Sequence, residues 1–334
     1  MANFKIKQMT SDDKLGVKVM GVSIGRKEFI TPYKALNSPQ KDSVLEIYQN
    51  VNAQIIDDSR HKPTVLDNLP SKCKDYTVNM IVPCYTDVDL TDKDLCDLES
   101  RIHPHTDVVI VPRWEGVLKL NNQSTIFDDL WSLSNRYVQE VRRINGKLIM
   151  GNLPLHRPQS VVEDLIDSYI DNGVTSFLLD YEQCNAPTKA HIVRNLEKKL
   201  VRENLRENSL LYSVNMKKSH DFGNIKPADD LLSFITGVDI LGNYHLRGGG
   251  GNEELTKIFN REEWTYVTAQ RMGRTVVEIA LSNHMNMNVE TEHVKNLIFE
   301  SGTAAEYIRS KRGATEYTRA VSQTTLDVGG VSWS

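Results

Sequence analysis

The 334-residue chain has no CxxC pair: Cys73, Cys84, Cys96 and Cys184 stand far apart. That spacing excludes a zinc knuckle and gives no sign of a disulfide framework. The nine histidines include no HExxH motif, so no metal site is expected. No apolar run approaches the length of a bilayer span, and the opening Met1–Gln8 segment carries no apolar leader core. A cytoplasmic protein without membrane association is therefore expected. Charge of one sign is also lacking: the formal net charge is -4 and the pI about 6.2. Such a balance excludes a polybasic protein held on nucleic acid by bulk charge alone. Aromatic residues make up only 7%, which argues against a long sugar-stacking groove. A GxGxxG turn after the first strand, the mark of an open dinucleotide-binding sheet, is missing.

What is present is alternation. Short β-branched runs at Asn79–Val82, Asp107–Val111, Lys147–Met150, Thr175–Asp180, Leu210–Asn215, Val238–Leu241 and Tyr266–Thr268 read as strands. Helical periods separate them at Ile126–Arg143, Ser160–Asp171, Thr188–Arg206 and Pro227–Phe234. Strand–helix alternation implies parallel βαβ units, and runs apolar on both faces suit a sheet covered by helices. The pattern predicts an α/β fold, a (β/α)8 TIM-type barrel with an N-terminal hairpin and C-terminal helices. The hairpin is Val17–Ile24 with Phe29–Thr31, turned at Gly25-Arg26, and the closing helices are Val276–Met287, Thr291–Ser301 and Ala304–Lys311. Residues 1–75 hold the hairpin and first barrel elements, 76–321 continue the same domain, and 322–334 form a flexible tail.

Chemistry concentrates at the carboxyl ends of barrel strands. The Thr175–Asp180 run ends in Asp180 and Glu182, whose i, i+2 spacing projects both carboxylates from one face. They are the candidate acid–base or nucleophilic pair, against the alternative of a capped helix or an ion pair. Val238–Leu241 brings Asp239 and then Asn243, Tyr244, His245 and Arg247, followed by Gly248 to Gly251. A glycine run lets backbone N–H groups approach a ligand closely, although a plain loop reads the same way. Trp114 and Glu115 follow one strand and Asn152 another; together they would stack on a flat ring and read its edge. Arg271, beyond the Tyr266 strand, is placed to meet phosphate.

The segment Pro227-Ala228-Asp229-Asp230-Leu231-Leu232 through Gly237-Val238-Asp239-Ile240-Leu241 resembles the tRNA-guanine transglycosylase superfamily. Gly16 to Thr31-Pro32 resembles that family's opening hairpin. Lys147–Asn152 and Gly173–Glu182 stand at its base-reading strands, and Ser282-Asn283-His284 to Ser301-Gly302 at its closing helices. The resemblance implies base exchange on guanine or a 7-deazaguanine in tRNA or DNA, with nucleic acid and a purine-like base as partners and no cofactor. Three departures stand beside it. No Asp-Ser-Gly-Gly loop lies near Ile55–Lys72, Gly242 occupies the nucleophile's position, and the CxCxxC zinc ligands are absent. Asp180, Glu182 or Asp239 would have to take over the chemistry. Two other readings stay open: a chitinase-type glycoside hydrolase with Glu182 as acid, and a silent barrel acting as a nucleic-acid-binding subunit. Homo-oligomerisation is a further open expectation.

Overall fold

The computed structural model describes residues 4–12, 15, 17–120, 125–144, 146–217, 226–246 and 255–327. The fold is mixed α/β, built on parallel strands as the alternation predicts. Six strands hydrogen-bond in the spatial order Val109–Ile110, Ile149–Pro154, Ser176–Asp180, Leu211–Val214, Ile240–Leu241 and Tyr33–Lys34. Val44–Val51, Val78–Tyr85 and Arg113–Trp114 form a second parallel sheet. The ladders are thus divided between two sheets. Two single parallel bridges link these, Leu36 to Leu45 at one seam and Met80 to Val108 at the other.

Alternation along each strand sorts the core into two layers. Met80, Met150, Leu178, Tyr212 and Ile240 form one apolar cluster on the inner face. Phe177, Leu179 and Leu211 face out, against helices such as Gln159–Asp171 and Ala186–Arg202. Each fully buried aliphatic or aromatic side chain contributes about 1.5–3 kcal/mol. The hairpin closes the amino end of the strands, where Met20, Val22, Ile24 and Phe29 join the inner cluster. Gly25, at φ 65°, makes its turn. A third strand, Phe4–Asp12, pairs antiparallel with Val17–Ile24.

Four expectations are corrected. Tyr266–Thr268 is not a βα strand: Thr265–Gln270 pairs antiparallel with Leu255–Asn260 and with Lys226–Pro227. Period alone cannot distinguish the two pairings. Val44–Val51, unassigned in the sequence, is a full parallel strand. Val276–Met287 and Thr291–Ser301 are one helix, Val276–Ser301, started by a Thr275–Glu278 capping box and stopped by Gly302. Helix Arg312–Asp327 runs through the first part of the tail expected from Ser322, and the rest of it lies outside the described residues. No described helix is long and apolar enough to cross a membrane.

Candidate functional site

The carboxyl ends of the parallel strands carry a continuous polar constellation. Its first half is built on Arg113, which is 2% exposed. The guanidinium donates through Nε to Glu115 at 2.6 Å and through Nη1 to Asp180, and its Nη2 lies 2.9 Å from Glu182. His156 Nδ1 lies 2.7 Å from the same Glu182 oxygen. Burial works against the Arg113 charge, but Asp180, Glu182 and Glu115 outweigh it and hold the proton more firmly than usual. Burial likewise pushes Glu182 up, yet His156 and Arg113 win and keep its carboxyl below the ordinary range.

The second half is built on Glu46, from the inner face of Val44–Val51. Its side chain is fully buried. His245 Nε2 and the Tyr212 hydroxyl both reach it, and the Asn243 backbone N–H donates to Oε1 at 2.9 Å. Burial opposes this charge too, but His245, Tyr212 and Lys34 hold the carboxyl below its usual range. Tyr48 stacks on the His245 ring, with centroids 4.6 Å apart and planes 12° from parallel.

Asn215 joins the halves. Its Nδ2 donates to Asp180 at 3.0 Å, and its Oδ1 accepts the His245 backbone N–H at 3.1 Å. It does this from a left-handed backbone at φ 57°, a region asparagine tolerates better than most residues.

Of the residues singled out in the sequence, Asp180, Glu182, Glu115, Asn243 and His245 lie together in this constellation, and Asn152 lies beside them, pairing across from Leu178 with its Nδ2 3.4 Å from the Val111 carbonyl. Asp239 does not join them. Its carboxylate accepts from the Leu211 N–H and from Arg206, each at 2.8 Å, at the amino end of the strands. Asp180 aligns with Val214, three residues further along than Leu211, which is roughly 10 Å at strand rise. Trp114 is no stacking platform: it is 2% exposed, donates to Ser134 at 2.9 Å and packs edge-on against Tyr85 and Tyr137. Tyr244 is exposed. Arg271 follows the antiparallel strand, and no described contact ties it to the constellation. Arg247, Gly248 and Gly249 lie outside the described residues.

Glu46, Tyr48, Arg113, His156, Tyr212 and Asn215 were missed. The available signal was a lone carboxylate, Glu46, inside an apolar β-branched run; a solvent-facing residue gives the same signal in an edge strand. Among the described residues, no group of three or more His, Cys, Asp or Glu side chains is arranged to hold a metal ion.

No family model and no curated protein matches the chain. Solved structures do. DHODH of Eimeria tenella in complex with ferulenol is 10% identical over 54% of this chain and 55% of its own, at a TM-score of 0.35. The flavin-binding domain of baker's yeast flavocytochrome b2 is 14% identical over 73% of this chain and 63% of its own, at 0.34. A flavocytochrome b2 variant is 11% identical over the whole chain and 79% of its own, at 0.40. The chain thus spans little more than half of the first and under two thirds of the second. At these scores the likenesses assign neither cofactor nor activity.

The transglycosylase reading, with its glycosyl transfer to a 7-deazaguanine or tRNA, is corrected. The geometry of the site disagrees with it. A Cβ on Gly242 would fall 2.5 Å from Glu46 Oε2 and 2.8 Å from the Tyr212 ring, so no nucleophilic aspartate fits there. Asp239 sits at the wrong end, and the Trp114 ring is shut in the core. Against the glycosidase alternative, Glu182 lies 2.9 Å from the Arg113 guanidinium and 2.7 Å from His156 Nδ1, partners that favour its carboxylate over the protonated acid that a donor must be.

Proposed function

We propose that the parallel strands, with Val109–Ile110 and Arg113–Trp114 as successive parts of one strand, form one barrel of the (β/α)8 type, and that its carboxyl-end mouth is an acid–base site for a small polar molecule. Supporting closure, the Leu36–Leu45 and Met80–Val108 bridges link the two sheets at two separate seams, and one apolar cluster fills the space between them. His245 is the proton-transfer group, and Glu46 is the carboxylate that orients it. The observation that carries this reading is the Glu46–His245 contact, a fully buried carboxylate against an imidazole that keeps 17% of its side chain exposed.

With Nε2 committed to Glu46, Nδ1 is the nitrogen left for a substrate proton. Glu46 stays ionised and stabilises the imidazolium formed when His245 takes that proton. Asp180, held by Arg113, Asn215 and the Glu182 N–H, is a positioning residue rather than a nucleophile.

The test uses the purified chain with 4-nitrophenyl esters and lactones for water activation, and with 2-oxo acids and ketones in D2O for proton abstraction. We expect turnover in one of these classes that falls about a hundredfold or more in His245→Asn and in Glu46→Gln, while His245→Asn keeps its Tm. Turnover that His245→Asn leaves unchanged would overturn the proposal. So would no turnover in either class together with no Tm increase from any compound.

A further inference from the structure

Near the amino end of the strands, where Glu197 approaches Arg206, lies a cavity of about 670 Å³ that the acid–base reading does not use. Helix Ala186–Arg202 forms one wall and helix Arg312–Asp327 the other. Its volume falls in the range of small-molecule sites, about 300–1,000 Å³. Ile235, Ile308 and Val321 contribute apolar lining. Arg194, Lys198, Arg309 and Arg319 line the same space.

One acid, Glu197, also lines it. It is already engaged elsewhere, 3.7 Å from Lys18 and 3.6 Å from Arg206 Nε. Arg319 shares its charge with Glu316 at the solvent face. Arg194 sits deeper: burial lowers its pKa, with Tyr317 and Glu197 pulling the other way. Apolar lining with cations in excess of acid is complementary to one kind of ligand, a molecule with an aliphatic body and a single anionic head.

We propose that this cavity binds an amphipathic anion of the fatty-carboxylate class. The body lies against Ile235, Ile308 and Val321, and the carboxylate meets Arg194, with Lys198 and Arg309 at the rim. The site is independent of the Glu46–His245 pair, so either reading can fail without the other.

The test is calorimetric titration of the full chain below micellar concentrations with three probes: dodecanoate, dodecanol and dodecyltrimethylammonium. Dodecanoate is expected to bind at least tenfold more tightly than dodecanol, and dodecyltrimethylammonium not at all. Arg194→Gln should remove the preference for the carboxylate and leave dodecanol binding unchanged. Thr318 is exposed beside the cavity, so Thr318→Trp can fill it without disturbing the core. This variant should abolish binding of both and keeps the test valid if Arg194→Gln does not fold. Equal affinity for the acid and the alcohol, binding that survives Thr318→Trp, or no binding of dodecanoate would each overturn the proposal.

Discussion

Glu46 and His245 stand 199 residues apart in the chain and meet side chain to side chain at the mouth of the parallel strands. Neither could hold that geometry alone. Glu46 is fixed by the Tyr212 hydroxyl and the Asn243 N–H, His245 by the Tyr48 ring and Asn215. A buried charge is stable only when its lone pairs are occupied in this way.

Gly242 is the position most intolerant of a side chain in this arrangement. Gly242→Ala would press a methyl against Glu46 Oε2, Tyr212 and the Ser213 backbone. A backbone neighbour cannot move aside as a flexible side chain does, so a loss on the order of 3 kcal/mol or more is expected. Chemical denaturation measures it; a loss within 0.5 kcal/mol would show that the strand ends are looser than described.

Asn288 completes the backbone pairing of the edge strand Tyr33–Lys34. Its Oδ1 accepts the Lys34 N–H at 2.7 Å and its Nδ2 donates to the Lys34 carbonyl at 2.8 Å. Asn288→Ala leaves both backbone groups without these partners, at a cost of roughly 2–4 kcal/mol. Asn288→Asp keeps the acceptor and loses the donor, so it should fall between the alanine variant and the natural protein. Equal stability of all three would refute the bridging role.

Glu99 gives a pH dependence with a definite sign. Burial pushes its carboxyl up to about 7, against the pull of the Tyr137 hydroxyl and Lys147. Below about pH 4.5 both folded and unfolded states hold the proton. Between there and pH 7 only the folded state does, so stability falls as pH rises, by roughly 3 kcal/mol in total. Glu99→Gln removes that loss. Its Tm relative to the natural protein should therefore be more favourable at pH 8 than at pH 5, and a pH-independent difference would contradict the assignment.

The sequence showed the scaffold better than the site. Runs such as Ser176–Asp180 are apolar on both faces and punctuated by acids, so strand and strand end were both legible. The Val44–Val51 strand was not, because Glu46, Gln49 and Asn50 break its apolar run; the same substitutions place Glu46 in the mouth. Asp239 was misplaced because its strand, Ile240–Leu241, is too short to show which end a flanking acid occupies. Trp114 misled because a tryptophan at a strand end looks the same whether it packs inward or faces a ligand; only Ser134, Tyr85 and Tyr137 decide that.

The pairing of Glu46 with His245 is tested most directly by proton and nitrogen NMR of the full chain with labelled histidine. An imidazole N–H held against a buried carboxylate is shielded from solvent exchange and gives a far-downfield proton resonance. The account predicts one such resonance that His245→Asn removes, identifying it, and that Glu46→Gln also removes or shifts strongly upfield while the fold persists. A His245 resonance that is unchanged in Glu46→Gln, or no downfield imidazole proton in the natural protein, would contradict it.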